Sequence, residues 1–191
     1  NVQVLGFEPD ISEAEFTNNS ENELGDKILG QFQEFYSNKM SKLAEVLMDQ
    51  IRRVHEEQPG RYRRILLPFS DGSSHPMAIT ADIERAIESD GATIQSDIEQ
   101  AVVLAIIDEK WKEHLREMDD LKTATYAASF EQKDPLVIYK MEAFNLFEQL
   151  IMSVNEETTG YLAKGGLVFP EQQGAPQIRQ APSRSSKQQK L

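Results

Sequence analysis

The residues with the most chemical potential stand close together. His114 lies among Asp108, Asp119 and Asp120, and Trp111, the only tryptophan, sits one turn before it. A histidine with carboxylates nearby could hold a metal ion or move a proton. A metal site needs ligands of matched type that converge. Here the carboxylates belong to a solvated helix face, so His114 reads as a histidine on a packed stripe. His55 and His75 are isolated and read as structural. Trp111 is expected to anchor a core contact, its indole N–H needing an acceptor if buried. Glu56-Glu57 and Glu156-Glu157 read as solvated helix ends. A phosphate-cradling loop of the G-x-x-x-x-G-K-[ST] type does not occur. Gly160–Gly166 offers glycines and Lys164, but no following helix whose N-terminus could hold a phosphate. No catalytic, cofactor-binding or metal residue is assigned, and the chain reads as non-catalytic.

The elements that carry these residues follow from periodicity. Leu104, Ile107, Trp111, His114, Met118, Leu121 and Thr125 recur at spacings of three and four, which places them on one helical stripe. Asp108–Lys112, Glu113–Arg116 and Asp119–Lys122 are spaced as helical ion pairs, each contributing roughly 0.2–0.5 kcal/mol. Pro135 stops that helix, and Asp134-Pro135 is a good start for another, with an N-cap carboxylate and a proline that wastes no donor. The second helix carries Leu136, Val137, Tyr139, Met141, Ala143, Phe144, Leu146, Phe147, Leu150, Ile151 and Val154 as a wide apolar face, and Gly165-Gly166 ends it. The expectation is an antiparallel hairpin with legs of roughly 50 Å and 40 Å. Its tip is Ser129–Asp134.

At these residues a family resemblance becomes specific. WKEHLREMDDLK, followed by FEQKDPLVIYKMEAFNLFEQLI, resembles the C-terminal part of SecA, the ATP-driven motor of bacterial preprotein translocation. The close match covers about residues 93–163, and residues 1–92 resemble the neighbouring helical wing domain loosely. The resemblance implies that the hairpin is the two-helix finger of the helical scaffold domain. Its tip, Ser129, Phe130, Glu131, Gln132 and Lys133, would then contact the SecYEG channel and the unfolded preprotein. Many SecA sequences have tyrosine where this chain has Phe130, which keeps the ring and lacks the hydroxyl. The resemblance further implies ATP and Mg²⁺ in the parent but no cofactor in this fragment. The remaining SecA domains become partners, and the location becomes cytoplasmic, peripheral on the inner face of the bacterial plasma membrane. SecA chains often continue into a Cys/His zinc segment, and this chain has no Cys.

The flanking sequence fits a smaller domain beside the hairpin. Residues 1–23 are acidic with scattered apolar anchors and read as an irregular, locally packed segment. Ser20 with Glu23 resembles a capping box, opening a helix that carries Phe32, Tyr36, Met40, Leu43, Leu47 and Ile51 and stops at Gln58-Pro59-Gly60. Gly25 and Gly30 weaken its first turns by about 1 kcal/mol each. Alternation in Arg63–Phe69 and His75–Thr80 around a Ser/Asp/Gly turn predicts a β-hairpin, about residues 63–80. Pro68 and Pro76 predict edge-like strands. Thr80 would cap a short helix over Ala81–Ser89, and Thr93 or Ser96, with Glu99, would cap the long helix. The fold class is mainly α: a long antiparallel helical hairpin plus a smaller helical wing with a short β-hairpin. The division is 1–92 wing, 93–164 finger and 165–191 flexible linker, the last rich in Gln, Ser and Pro with four basic residues and read as disordered.

Composition excludes some classes. The formal charge of −12 argues against a nucleic-acid role, which needs clustered Lys and Arg. The longest apolar run, Ala101–Ile107, is too short to span a bilayer. The absence of cysteine fits the cytosol. Opening on Asn1, the chain reads as an excised fragment, whose wide apolar face could drive self-association. The competing reading is a non-catalytic helical adaptor or coiled-coil protein that binds a partner helix.

Overall fold

The structure, a computed structural model, describes residues 5–73, 76–128 and 134–168, the side chains of 126–128 excepted. The described elements run α1 (Glu13–Asn18), α2 (Glu21–Glu57), β1 (Arg64–Ser70), β2 (Met77–Asp82), α3 (Ile83–Glu88), α4 (Ala92–Ala128), α5 (Pro135–Lys164) and β3 (Gly166–Leu167). The mainly α architecture with a helical hairpin and a small sheet is as expected.

The capping signals decide where the helices begin. Ser20 and Glu23 close a reciprocal capping box at the start of α2, and the helix runs 37 residues through Gly25 and Gly30 to Gln58. A second box precedes it: Ser12 and Glu15 pair in the same way, so Glu13–Asn18 is a helix, in contrast to the irregular segment expected there. Lys27 of α2 pins it, holding the exposed Glu15 carboxylate down from 4.5 to about 2 together with Ser12. Asp82, not Thr80, caps the short helix, because β2 continues through Ala81 before the chain turns. Neither Thr93 nor Ser96 caps α4. The Ser89 hydroxyl accepts from the Thr93 N–H at 3.3 Å, and Ser96 instead donates to the Thr93 carbonyl.

The sheet is larger than a hairpin. Its order is β2-β1-β3, with both pairings antiparallel, Leu67 opposite Ile79 and Phe69 opposite Leu167. β1 is therefore the central strand, and Pro68 is not an edge residue. It is tolerated because β3 pairs only with Phe69 and Ser70, and the Pro68 carbonyl needs only to accept, here from the Val168 N–H at 2.8 Å. This places Gly165–Val168 in ordered structure, against their expected membership of a flexible linker. Residues 169–191 lie outside the described residues.

The core gathers Met40, Leu47 and Ile51 of α2, Leu67 and Phe69 of β1, Ile79 and Ala81 of β2, Ile83 of α3, and Ile94, Ile98, Val102 and Ile106 of α4. The turn from α3 into α4 is tight. Asp90 and Gly91 both have positive φ, and a Cβ on Gly91 would lie 2.8 Å from Met48 Cγ.

The buried line of α4 differs from the predicted stripe. It follows Ile94, Ile98, Val102, Ile106, His114 and Thr125, while Leu104, Ile107 and Trp111 are exposed. Residues four apart advance about 40° around a helix. A buried line at that spacing winds, so α4 faces the wing core in its first third and α5 afterwards. A straight stripe misses that rotation.

Candidate functional site

The hairpin of α4 and α5 is the feature that projects from the core. At about 1.5 Å per residue, α4 is roughly 55 Å long and α5 roughly 45 Å. Asp134 opens α5 as expected, its carboxylate accepting from the Leu136 N–H at 2.9 Å with Pro135 in the first turn. Ala128 ends α4 on the other side. The predicted contact residues between them, Ser129, Phe130, Glu131, Gln132 and Lys133, lie outside the described residues. The described chain places two helix ends on either side of them.

Between the legs, the half-buried Ile138, Leu146, Leu150 and Val154 of α5 face inward, with Met118 and Leu121 of α4. Near the root, Lys110 bridges to Glu157 at 2.9 Å across the hairpin and to Glu113 at 3.6 Å along its own helix. The hydrogen bond to Glu157 raises the Lys110 pKa, against the desolvation that lowers it. Of the three predicted helical ion pairs, Asp108–Lys112 forms, at 2.5 Å.

His114 is 7% exposed, wedged between the Trp111 ring at 5.6 Å and the Phe147 ring at 6.3 Å. Its Nδ1 is buried without a hydrogen-bond partner. The packed, structural reading of His114 fits this position, and among the described residues no group of three or more His, Cys, Asp or Glu side chains is placed to hold a metal.

Trp111 departs from expectation. It is 46% exposed, not a buried anchor. With Leu104, Ile107 and Leu115 it forms an outward apolar stripe on α4. Val137, Met141, Phe144, Phe147 and Ile151 form a matching outward stripe on α5. Both stripes have helical spacing, and the Trp111–His114–Phe147 contact joins them. Exposed apolar rows of this kind mark an interaction surface. Among the described residues no helix is long and apolar enough to cross a membrane.

The root of the hairpin holds residues that the sequence reading passed over. Lys39 of α2, half-buried, donates to the carbonyls of Leu162 and Ala163 at 3.0 Å and 2.6 Å, and desolvation lowers its pKa. The Tyr161 hydroxyl donates to the Phe69 carbonyl at 3.1 Å. A Cβ on Gly165 would fall 2.5 Å from the Tyr161 carbonyl and 2.6 Å from Phe69 Cζ. A lysine about five turns into a helix gives no local signal that it will cap another helix more than 120 positions later. The Tyr/Gly pair at the end of α5 did offer one, since glycine there permits close approach.

Comparison with known proteins gives a consistent picture. The family described as the SecA wing and scaffold domain matches residues 4–165. A protein translocase subunit SecA from Christiangramia forsetii is 38% identical over 187 residues, 98% of this chain and 16% of that protein. The corresponding subunit from Flavobacterium psychrophilum is 38% identical over 94% of this chain and 16% of its own length. That from Bacteroides fragilis is 35% identical over 89% of this chain and 15% of its own length. This chain thus spans about one sixth of the relatives it matches. No solved structure matches it.

Proposed function

We propose, from the premise that this chain belongs to the SecA wing and scaffold family, that it is the wing and two-helix finger of a translocase motor. In this reading residues 1–92 are the wing, 93–164 the finger and 165–191 a linker. The finger's tip, Ser129–Lys133, contacts the translocating polypeptide at the SecYEG channel. The observation that carries the reading is the hairpin itself: two long antiparallel helices, rooted in a core and capped at the tip by Asp134. ATP binding and hydrolysis belong to the rest of the parent, with Mg²⁺. The outward stripes of Trp111 and Phe147 then receive other domains of the parent. The site of action is the cytoplasmic side of the plasma membrane, with the protein held there peripherally.

Phe130 is the residue assigned to the passing chain. A loop aromatic on a rigid hairpin offers apolar area at low entropic cost without demanding a particular substrate sequence. The test uses the full-length parent with Phe130→Gly and Phe130→Tyr. Glycine should impair preprotein transport while basal ATP hydrolysis and thermal stability stay near the parent's, and tyrosine should be tolerated. Unimpaired transport by the glycine variant would reduce Phe130 to a connector, and a marked loss of stability would make it packing.

The outward apolar stripes also favour a second reading, a non-catalytic adaptor that seats a partner helix. Preprotein and SecYEG cross-linking from position 130 separates the two, since an adaptor would give neither adduct.

A further inference from the structure

The two legs of the hairpin are fixed to the wing by independent means. The α4 leg is continuous with the core: Ile94, Ile98 and Val102 are fully buried there, and the helix then runs to Ala128 without a break. It contains neither proline nor glycine, the residues at which helices kink. The α5 leg is fixed at its last turn. Lys39 binds its terminal carbonyls, Phe69 fills the space where a side chain on Gly165 would stand, and β3 joins the sheet beside β1. A hinge needs a few element-terminal residues free to change their backbone angles. At the root of α5 those residues are the ones held by Lys39, Phe69 and β1.

We propose that wing and hairpin form one rigid lever, in which the α5 root locks a hairpin already embedded through α4. A displacement imposed on the wing is then delivered undiminished to the hairpin tip. This goes beyond the translocation reading and does not depend on it, because the lever is a property of this chain alone.

The chain contains no cysteine, so two introduced cysteines can be spin-labelled specifically. One pair, Glu84→Cys with Glu142→Cys, spans wing and hairpin; a second, Arg53→Cys with Glu84→Cys, lies within the wing. All three positions are exposed. Pulsed dipolar spectroscopy should give one narrow distance distribution for each pair. Gly165→Val should cost the spanning pair its single narrow peak and leave the wing pair unchanged, with the far-ultraviolet helix signal retained. Lys39→Met, which keeps the packed stem and removes the ammonium, should act in the same direction and serves if the valine variant does not fold. A broad or divided spanning distribution before any root substitution overturns the proposal. So does an unshifted narrow peak in the root variants that fold, and so does equal broadening of both pairs.

Discussion

The hydroxyl of Tyr161 donates to the carbonyl oxygen of Phe69 at 3.1 Å, bridging the end of α5 to the central strand across 92 positions of sequence. Burial raises the Tyr161 pKa, with the nearby Asp71 charge adding to it, so the phenol stays protonated as the donor. Removing the hydroxyl takes away this tie to α5, while the Phe69 carbonyl still faces Met77 across the β1–β2 pairing. Tyr161→Phe should cost about 0.5–1.5 kcal/mol, measured as a shift of the urea midpoint. A midpoint equal to the parent's would mean that water replaces the bond.

The winding of the buried face of α4 makes a paired prediction. Ile98 is fully buried and Leu104 is 58% exposed. Ile98→Ala should destabilise by about 2–5 kcal/mol, whereas Leu104→Ala should stay within roughly 0.5 kcal/mol. Comparable losses at both positions would restore the straight stripe inferred from spacing.

Glu15 sets a local acid transition. Its folded pKa of about 2 lies below its ordinary value of 4.5, through the Lys27 hydrogen bond and the Ser12 cap. A depressed carboxylate contributes stability that is complete above 4.5 and is lost as pH falls toward 2. Amide chemical shifts of residues 12–18 should therefore titrate with a midpoint near pH 2 while core amides stay in place. Glu15→Gln should abolish the transition; its persistence would assign it to another carboxylate.

The outward stripes predict association of the isolated chain. Trp111, Phe144 and Phe147 are 46%, 60% and 48% exposed on the outward stripes of the hairpin. Light scattering over a dilution series should show a concentration-dependent rise in mass. Phe147→Gln combined with Trp111→Gln should return the chain to a monomer. A strict monomer without substitution would show that the face tolerates water.

Local signals were legible in the sequence. The Ser20–Glu23 box, the Asp134-Pro135 start and the β1–β2 pairing each depend on residues close in sequence, and each formed. The Ser12–Glu15 box is equally local. What escaped was set by distant partners. β3 is two residues long and exists only because β1 offers it an edge, so no periodicity could announce it. Spacing places Trp111 on the packed stripe as an anchor between the hairpin and its neighbours, but the winding of α4 turns it outward. The tip residues Ser129–Lys133 are assigned by resemblance, and lie outside the described residues.

The small third strand also fixes an order of events during synthesis. β1 leaves the ribosome with one partner, β2, a few residues behind it, and its other partner about 100 residues later. At roughly 5–20 residues per second, the second edge of β1 stays open for about 5–20 s. Through that interval Phe69 lacks Tyr161 and Gly165 as a cover, and Lys39 lacks the carbonyls it will bind. The domain closes only when both legs of the hairpin have been made, so a nascent chain paused within α5 presents an unfinished sheet to whatever waits at the tunnel exit.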